Sequence, residues 1–177
     1  MRIPRVGTNL NLNRRRVPDS DCQASNIGSK SMNTEWLDEA HRRFGEREDV
    51  FEYVDSPYSL WSNLRDVFKR AYEYPYKETD IRAIYEYANW SCQQPRGETA
   101  EDDLLTCVAV CFYEHIPEVE AAVKDLPRWF KLSEIITMRE IFGYHAGEAG
   151  FERMLEAYPK AQRAKIEKKK PTGRGRQ

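Results

Sequence analysis

The chain has 177 residues, with 28 basic and 29 acidic side chains, and a mean hydropathy of −0.80. No apolar run approaches the roughly 18 residues that a membrane-spanning helix needs, and no apolar segment follows the early arginines as a secretory signal would require. The near-neutral balance is misleading, because residues 32–159 carry 14 basic and 26 acidic side chains, a net charge of −12, and hold every Trp, Tyr and Phe of the chain.

This charge pattern predicts three regions. Residues 32–159 have the length of one ordinary domain and enough apolar area to build a core. Residues 1–31 are predicted to be a disordered leader, and residues 160–177 a basic tail that is disordered or a frayed helix. Met32 stands directly before a helix start, so translation beginning at Met32 is an alternative to a translated leader. Four cysteines without a secretory signal are typical of a reduced, cytoplasmic protein.

In the first half, capping residues mark three of the predicted helix starts, and Gly or Pro marks two of the predicted ends. In chain order they are a helix capped by Asn33 and stopped by Gly45, a short helix within residues 46–55, a helix opened by Ser56 and Pro57 and ended at Pro75, and a helix capped by Thr79 or Asp80 that runs to Trp90 or Cys92. The third has the clearest apolar face, which recurs at steps of three and four residues.

Further helices are predicted in the second half, after a loop at residues 93–97. The predicted elements are a helix opened by a capping box of Thr99 and Asp102 and continuing to Ile116, a short helix started by Pro117, a helix capped by Ser133 and closed by Gly143, and a last helix through Tyr158. No window alternates with a period of two. The sequence therefore predicts an all-α domain.

Two of these helices align at an offset of 44 residues, with Leu60 falling on Leu104 and Phe68 on Phe112. HEAT-type helical repeats have periods of about 40–47 residues. The domain is therefore predicted to be either a single irregular helical bundle or a short HEAT-like repeat.

Cys107, Cys111 and His115 follow one another at four-residue steps along a predicted helix. Residues eight apart on a straight helix are separated by about 12 Å, whereas metal ligands lie about 2.0–2.3 Å from one ion. We therefore predict no metal site and no cofactor, and no catalytic residues. A cysteine- or metal-dependent enzyme centred on these three residues remains the alternative, with Cys92 or His145 as a further ligand.

An acidic, tyrosine-bearing surface is the more suggestive feature. Carboxylates steer the encounter with a basic protein and aromatic side chains anchor the complex. The predicted partner-binding residues are Glu46, Glu48, Asp49, Glu52, Asp55, Tyr72, Tyr74, Tyr76, Glu98, Glu101, Asp102 and Asp103. We therefore predict a non-enzymatic protein-binding module with a basic protein as its partner. Its oligomeric state is left open.

The basic tail at residues 160–177 offers another alternative, an adaptor that touches nucleic acid. Such a tail would make nonspecific phosphate contacts. The acidic domain beside it would repel the same polyanion, so nucleic acid is not the predicted partner.

Two segments resemble sequence signatures of small bacterial all-α proteins. They are residues 84–90, IYEYANW, and residues 105–116, LTCVAVCFYEHI, where Val108, Val110, Phe112 and Glu114 match a V-x-V-x-F-x-E pattern. The resemblance spans residues 32–126. Some members of these families look like immunity proteins, which neutralise a toxin by binding it. The resemblance therefore implies an all-α binding domain, without catalytic residues to carry over.

Overall fold

The computed structural model describes residues 34–167, with side chains through residue 164. In chain order its helices are α1 Glu35–Phe44, α2 Glu48–Phe51, α3 Pro57–Ala71, α4 Glu78–Ser91, α5 Leu104–Cys111, a 3₁₀ helix Tyr113–Glu118, α6 Glu120–Trp129, α7 Leu132–Thr137, α8 Arg139–Glu156 and α9 Lys160–Glu167. The described residues contain no strand, so the all-α prediction is confirmed. The predictions for residues 1–31, for Asn33 and for residues 168–177 lie outside this range.

The helices form an irregular bundle. The two helices that align at an offset of 44 residues pack against each other, but α3 has 15 residues and α5 has 8. α3 is followed by one long helix, whereas α5 is followed by a 3₁₀ helix and then α6. Of the two predicted architectures, the irregular bundle describes this arrangement. The first residues of the predicted tail are helical, as α9, which contacts α7.

α3 begins as the sequence predicts. Ser56 Oγ accepts a hydrogen bond from the backbone N–H of Ser59 at 3.3 Å, and Ser59 Oγ accepts one from the N–H of Ser56 at 3.1 Å. Pro57 is the first helical residue, where its missing N–H costs nothing. The Glu46–Asp55 region contains a helix of only four residues, α2, which lies on α3.

Three of the predicted capping residues do not start the helices assigned to them. α4 begins at Glu78, ahead of both predicted caps, with Lys77 at the N-cap. α7 begins at Leu132 with Lys131 at the N-cap, so Ser133 lies inside the helix. Of the predicted capping box, the Asp102 N–H does donate to Thr99 Oγ1, but the Asp102 carboxylate accepts from the Thr99 hydroxyl and not from its backbone N–H. These bonds close a turn, and α5 begins two residues later, at Leu104.

The helix predicted to continue to Ile116 ends early. Phe112 leaves the helical conformation, with φ −124° and ψ −61°, and the chain tightens into the 3₁₀ helix that contains Pro117. Proline disfavours the α conformation in the residue before it and cannot donate to the preceding turn. Pro117 therefore does not start α6, which begins at Glu120.

The predicted stop at Gly143 is also wrong. Gly143 lies within α8, and the break comes at Gly147, which has φ 62° and ψ −175°. The region predicted as two helices consists of α7 and α8, and α8 has a kink at Gly147, since only a glycine adopts that conformation without strain.

Aromatic rings form the centre of the core. Trp61 is fully buried and stacks on Tyr87, with ring centroids 5.1 Å apart, and on Phe112, at 5.5 Å. Phe112 also meets the edge of Phe68 at 4.8 Å. These contacts join α3, α4 and the end of α5 into one apolar unit.

No helix in the described part of the chain is long and apolar enough to cross a bilayer.

We expect Phe112→Ala to lower the free energy of unfolding by about 3–5 kcal/mol, because it leaves a cavity among rings that cannot close over it. Tyr53→Ala is the matched control: the Tyr53 side chain is 89% exposed, so its truncation should change stability by less than about 0.5 kcal/mol. Urea titration followed by circular dichroism measures both. Equal stability of the two variants would contradict this account of the core.

Candidate protein-binding surface

The first acidic cluster lies on and around α2. Glu46, Glu48, Asp49, Glu52 and Asp55 are all exposed, as predicted. Their charges are not equally available, however. Asp49 binds Arg47 at 3.0 Å and Arg70 of α3 at 3.0 Å, and these arginines lower its pKa. Arg47 also binds Asp80 at 3.0 Å, which ties α2 to the first turn of α4.

Two other carboxylates of the cluster are engaged locally. Asp55 accepts hydrogen bonds from the Ser59 and Ser56 hydroxyls, which lower its pKa and support the start of α3. Glu46 lies 3.6 Å from His41 Nδ1. Glu48 and Glu52 make no side-chain ion pair within the described part of the chain. They are therefore the members of the cluster whose negative charge is most available.

The tyrosines around Pro75 differ in exposure. Tyr74 is 100% exposed and Tyr76 is 48% exposed. Tyr72 is half-buried and donates a hydrogen bond to Asp125 Oδ2 at 3.0 Å, and burial beside that carboxylate raises its pKa. Tyr72 thus holds the α3–α4 loop against α6, and of the three predicted tyrosines the other two face solvent.

The second acidic cluster lies elsewhere. Glu98, Glu101 and Asp102 are exposed in the loop that follows α4, whereas α2 is tied to the beginning of α4. α4 has 14 residues and spans about 20 Å. The structure therefore does not bring the two predicted clusters into one surface.

Asp103 is a correction to the predicted surface. Its side chain is buried, and Oδ2 accepts hydrogen bonds from Arg96 Nε at 2.8 Å and from the Thr106 hydroxyl at 2.8 Å. Gly97 permits this arrangement, because a Cβ there would lie 2.5 Å from the backbone of Asp102 and Asp103. The charge predicted to meet a partner instead anchors the α4–α5 loop.

The cysteine stripe of the alternative hypothesis splits into separate environments. The Cys107 thiol donates to the backbone carbonyls of Ala100 and Glu101, at 3.5 and 3.3 Å. Burial raises the pKa of Cys107 to about 12 and also raises that of Cys111. His115 instead contacts Glu118 and His145. Within residues 34–167, no three His, Cys, Asp or Glu side chains are grouped so that they could hold a metal ion.

A histidine pair between the 3₁₀ helix and α8 was not foreseen. The rings of His115 and His145 stack with centroids 4.8 Å apart. His115 Nδ1 lies 2.6 Å from Glu118, and His145 Nε2 lies 3.3 Å from Glu114, whose pKa is raised by burial. The three-residue spacing of His115 and Glu118 was the available sequence signal, but the partner histidine comes from 30 residues further on.

Two exposed residues extend the first cluster beyond the prediction. Tyr53 follows α2 by two residues, is 89% exposed and has a φ of 54°, which is uncommon for a residue other than glycine. Glu73 is exposed beside Tyr74. Tyr53 is four residues from Asp49 and Tyr74 four residues from Arg70, so the Asp49–Arg70 ion pair joins the segments that carry them. We call Glu48, Glu52, Tyr53, Glu73, Tyr74 and Tyr76 the tyrosine surface.

Comparison with protein-family models, with curated proteins and with solved structures finds no match for this chain. The resemblance to bacterial immunity-type proteins therefore stays a prediction. Val108, Phe112 and Glu114 of its pattern are buried, so they serve packing in this structure.

We expect the thiols of Cys92 and Cys107 to resist alkylation in the folded protein. Both have a pKa of about 12 because they are buried, so at pH 8 the reactive thiolate is on the order of a thousand-fold scarcer than at an ordinary cysteine. Iodoacetamide labelling read by mass spectrometry, with the same protein in guanidinium chloride as control, measures this. Equal labelling rates of Cys107 in the folded and the unfolded protein would instead support the hypothesis of a cysteine-dependent enzyme.

Proposed function

We propose that this protein is a non-enzymatic protein-binding module, and that the tyrosine surface engages a basic protein. The observation that carries the proposal is the complete exposure of Tyr74 together with the near-complete exposure of Tyr53, on segments joined by one ion pair. Tyrosine is enriched at protein interfaces because it buries a large ring at a low cost in side-chain entropy.

The charges support a basic partner. Glu48, Glu52 and Glu73 lie close to the tyrosines in sequence and make no ion pair in the part of the chain that the structure describes. Of the basic side chains in these segments, Arg47 and Arg70 are bound to Asp49, and Lys77 is exposed beside Tyr76. Unpaired carboxylates at the rim of an interface increase the rate of encounter with a positive surface. The same charges would repel a nucleic acid.

An immunity-type role is the finer form of the proposal. In it the partner is a toxin and binding alone neutralises it. It is supported by the resemblance of residues 84–90 and 105–116 to such proteins, and by an interface that needs no reactive group. A cytoplasmic location is part of this proposal, since its cysteines are unpaired in the described chain.

The cysteine-dependent enzyme finds less support. Catalytic cysteines act as thiolates and have a lowered pKa, whereas burial raises the pKa of Cys92, Cys107 and Cys111. The nucleic-acid adaptor rests on basic residues of which several lie beyond residue 167.

We expect a variant carrying Tyr53→Ala and Tyr74→Ala to lose the partner that the wild-type protein captures from lysate, with an affinity at least 10-fold lower, because hot-spot tyrosines are typically worth more than about 1 kcal/mol each. Tyr144→Ala is the matched control, since Tyr144 is also exposed but lies on α8. Quantitative capture followed by binding kinetics measures the difference. Equal loss in the control would show nonspecific adhesion.

A second experiment tests the charges of the surface with a variant that carries Glu48→Lys and Glu52→Lys. Asp49 is left unchanged because its reversal would break the ion pairs to Arg47 and Arg70. We expect slower association with the purified partner at low salt and a smaller salt dependence, since exposed charges act within a Debye length of about 10 Å. An unchanged association rate would show that the partner does not meet this face.

A further inference from the structure

A cavity of about 250 Å³ lies between α5, the 3₁₀ helix and the junction of α7 with α8. Its walls are mainly apolar, from Leu105, Ala109, Met138 and Ile141. If each non-hydrogen atom takes about the 30 Å³ of a water molecule in the liquid, the cavity holds a molecule of roughly eight such atoms. It is partly open, because Arg96 and Glu140 at its wall are exposed.

The charge of Arg96 is already compensated. Two of its guanidinium nitrogens bind Asp103 Oδ2, a buried carboxylate. This pair is fixed by the close approach of Gly97 to the backbone of Asp102 and Asp103. Arg96 and Asp103 together add no net charge to the cavity.

Glu140 is the charged wall residue that has no ion-pair partner among the described side chains. The loop that carries Arg96 also carries the exposed acids Glu101 and Asp102, which make no ion pair with a described side chain. An anion entering the cavity would therefore meet uncompensated negative charge, and a cation would be attracted.

We propose that this cavity binds an amphipathic organic cation: an ammonium group held at Glu140, with an apolar chain of about six carbons against Leu105, Ala109, Met138 and Ile141. An ammonium group on an apolar chain occurs in a free alkylamine and, on four methylenes, in a lysine side chain of a protein. The site lies at the end of α4 away from the tyrosine surface, so it does not depend on the proposed partner.

The test titrates isotope-labelled protein with n-hexylammonium, 1-hexanol and hexanoate, and follows the methyl signals of Ala109, Met138 and Ile141 by NMR. We expect hexylammonium to shift these methyls with a Kd on the order of 1 mM, as befits so small a ligand, and to bind at least about threefold more tightly than the other two. Equal binding of all three, or tighter binding of hexanoate, would overturn the assignment of a cation. Absence of methyl shifts at about 10 mM would overturn the site.

Substitutions separate the contribution of the Glu140 charge to binding from that of the apolar cavity. Glu140→Gln should weaken hexylammonium binding about two- to fivefold and leave hexanol unchanged, because an exposed charge contributes modestly. Glu152→Gln removes a carboxylate from an exposed position on the same helix and should change neither. Ala109→Leu fills the cavity and should abolish binding of hexylammonium and hexanol while the circular dichroism spectrum stays that of the wild type. If Ala109→Leu unfolds, Glu140→Gln decides alone, and an unchanged Kd there contradicts the proposal.

A final arm identifies the source of the cation. N-acetyl-lysine N-methylamide carries its ammonium group on four methylenes attached to a peptide backbone, so n-butylammonium is its matched reference. Binding within about threefold of n-butylammonium would favour a protein lysine, while weaker binding than that would favour a free amine. The double variant Tyr53→Ala and Tyr74→Ala should keep the amine affinity of the wild type, so this result and that of the partner capture can be read separately.

Discussion

The ring of Phe112 packs against Trp61, Phe68, Tyr85 and Tyr113, and this contact constrains much of the remaining structure. Phe112 is fully buried between α3 and α4 although it stands at the end of α5. Its backbone takes φ −124°, which ends α5 after eight residues. Burial of the ring is worth about 1.5–3 kcal/mol, which is comparable with the few backbone hydrogen bonds that a longer α5 would add, and Pro117 already limits such a helix.

The early end of α5 determines how the residues that follow it are placed. The 3₁₀ helix that follows turns Tyr113 and Ile116 into the core and sets Glu114 and His115 against α8. Tyr113 becomes a wall of the cavity beside α7 and α8. In a regular α-helix through Ile116 these side chains would point in other directions around the helix axis, because an α-helix turns 100° per residue and a 3₁₀ helix turns 120°. The cavity and the histidine pair thus both follow from the early end of α5.

The sequence predicted what depends on neighbours along the chain. α3 was predictable because Ser56, Ser59 and Pro57 make its start from local hydrogen bonds and because its apolar residues recur with the helical period. Gly147 could not be told from Gly143, since either glycine can break a helix and the choice depends on what Phe142 and Phe151 pack against. Asp103 looked like one of several surface acids. Its burial depends on Arg96, seven residues away, and on the space that Gly97 leaves.

Ion pairing is another property that the sequence does not reveal, and it determines which charges a binding partner meets. A net charge of −12 over residues 32–159 counts every carboxylate equally, yet Asp49 is held between Arg47 and Arg70, and Glu78 binds both Arg82 and Arg128. A paired carboxylate has little field beyond its partner, so what an approaching protein meets is set by the unpaired minority. On the tyrosine surface these are Glu48, Glu52 and Glu73. Arg47 and Arg70 hold α2 to α3 and α4 through their ion pairs with Asp49 and Asp80. The arginines that neutralise part of the acidic cluster therefore also fix the position of its unpaired glutamates.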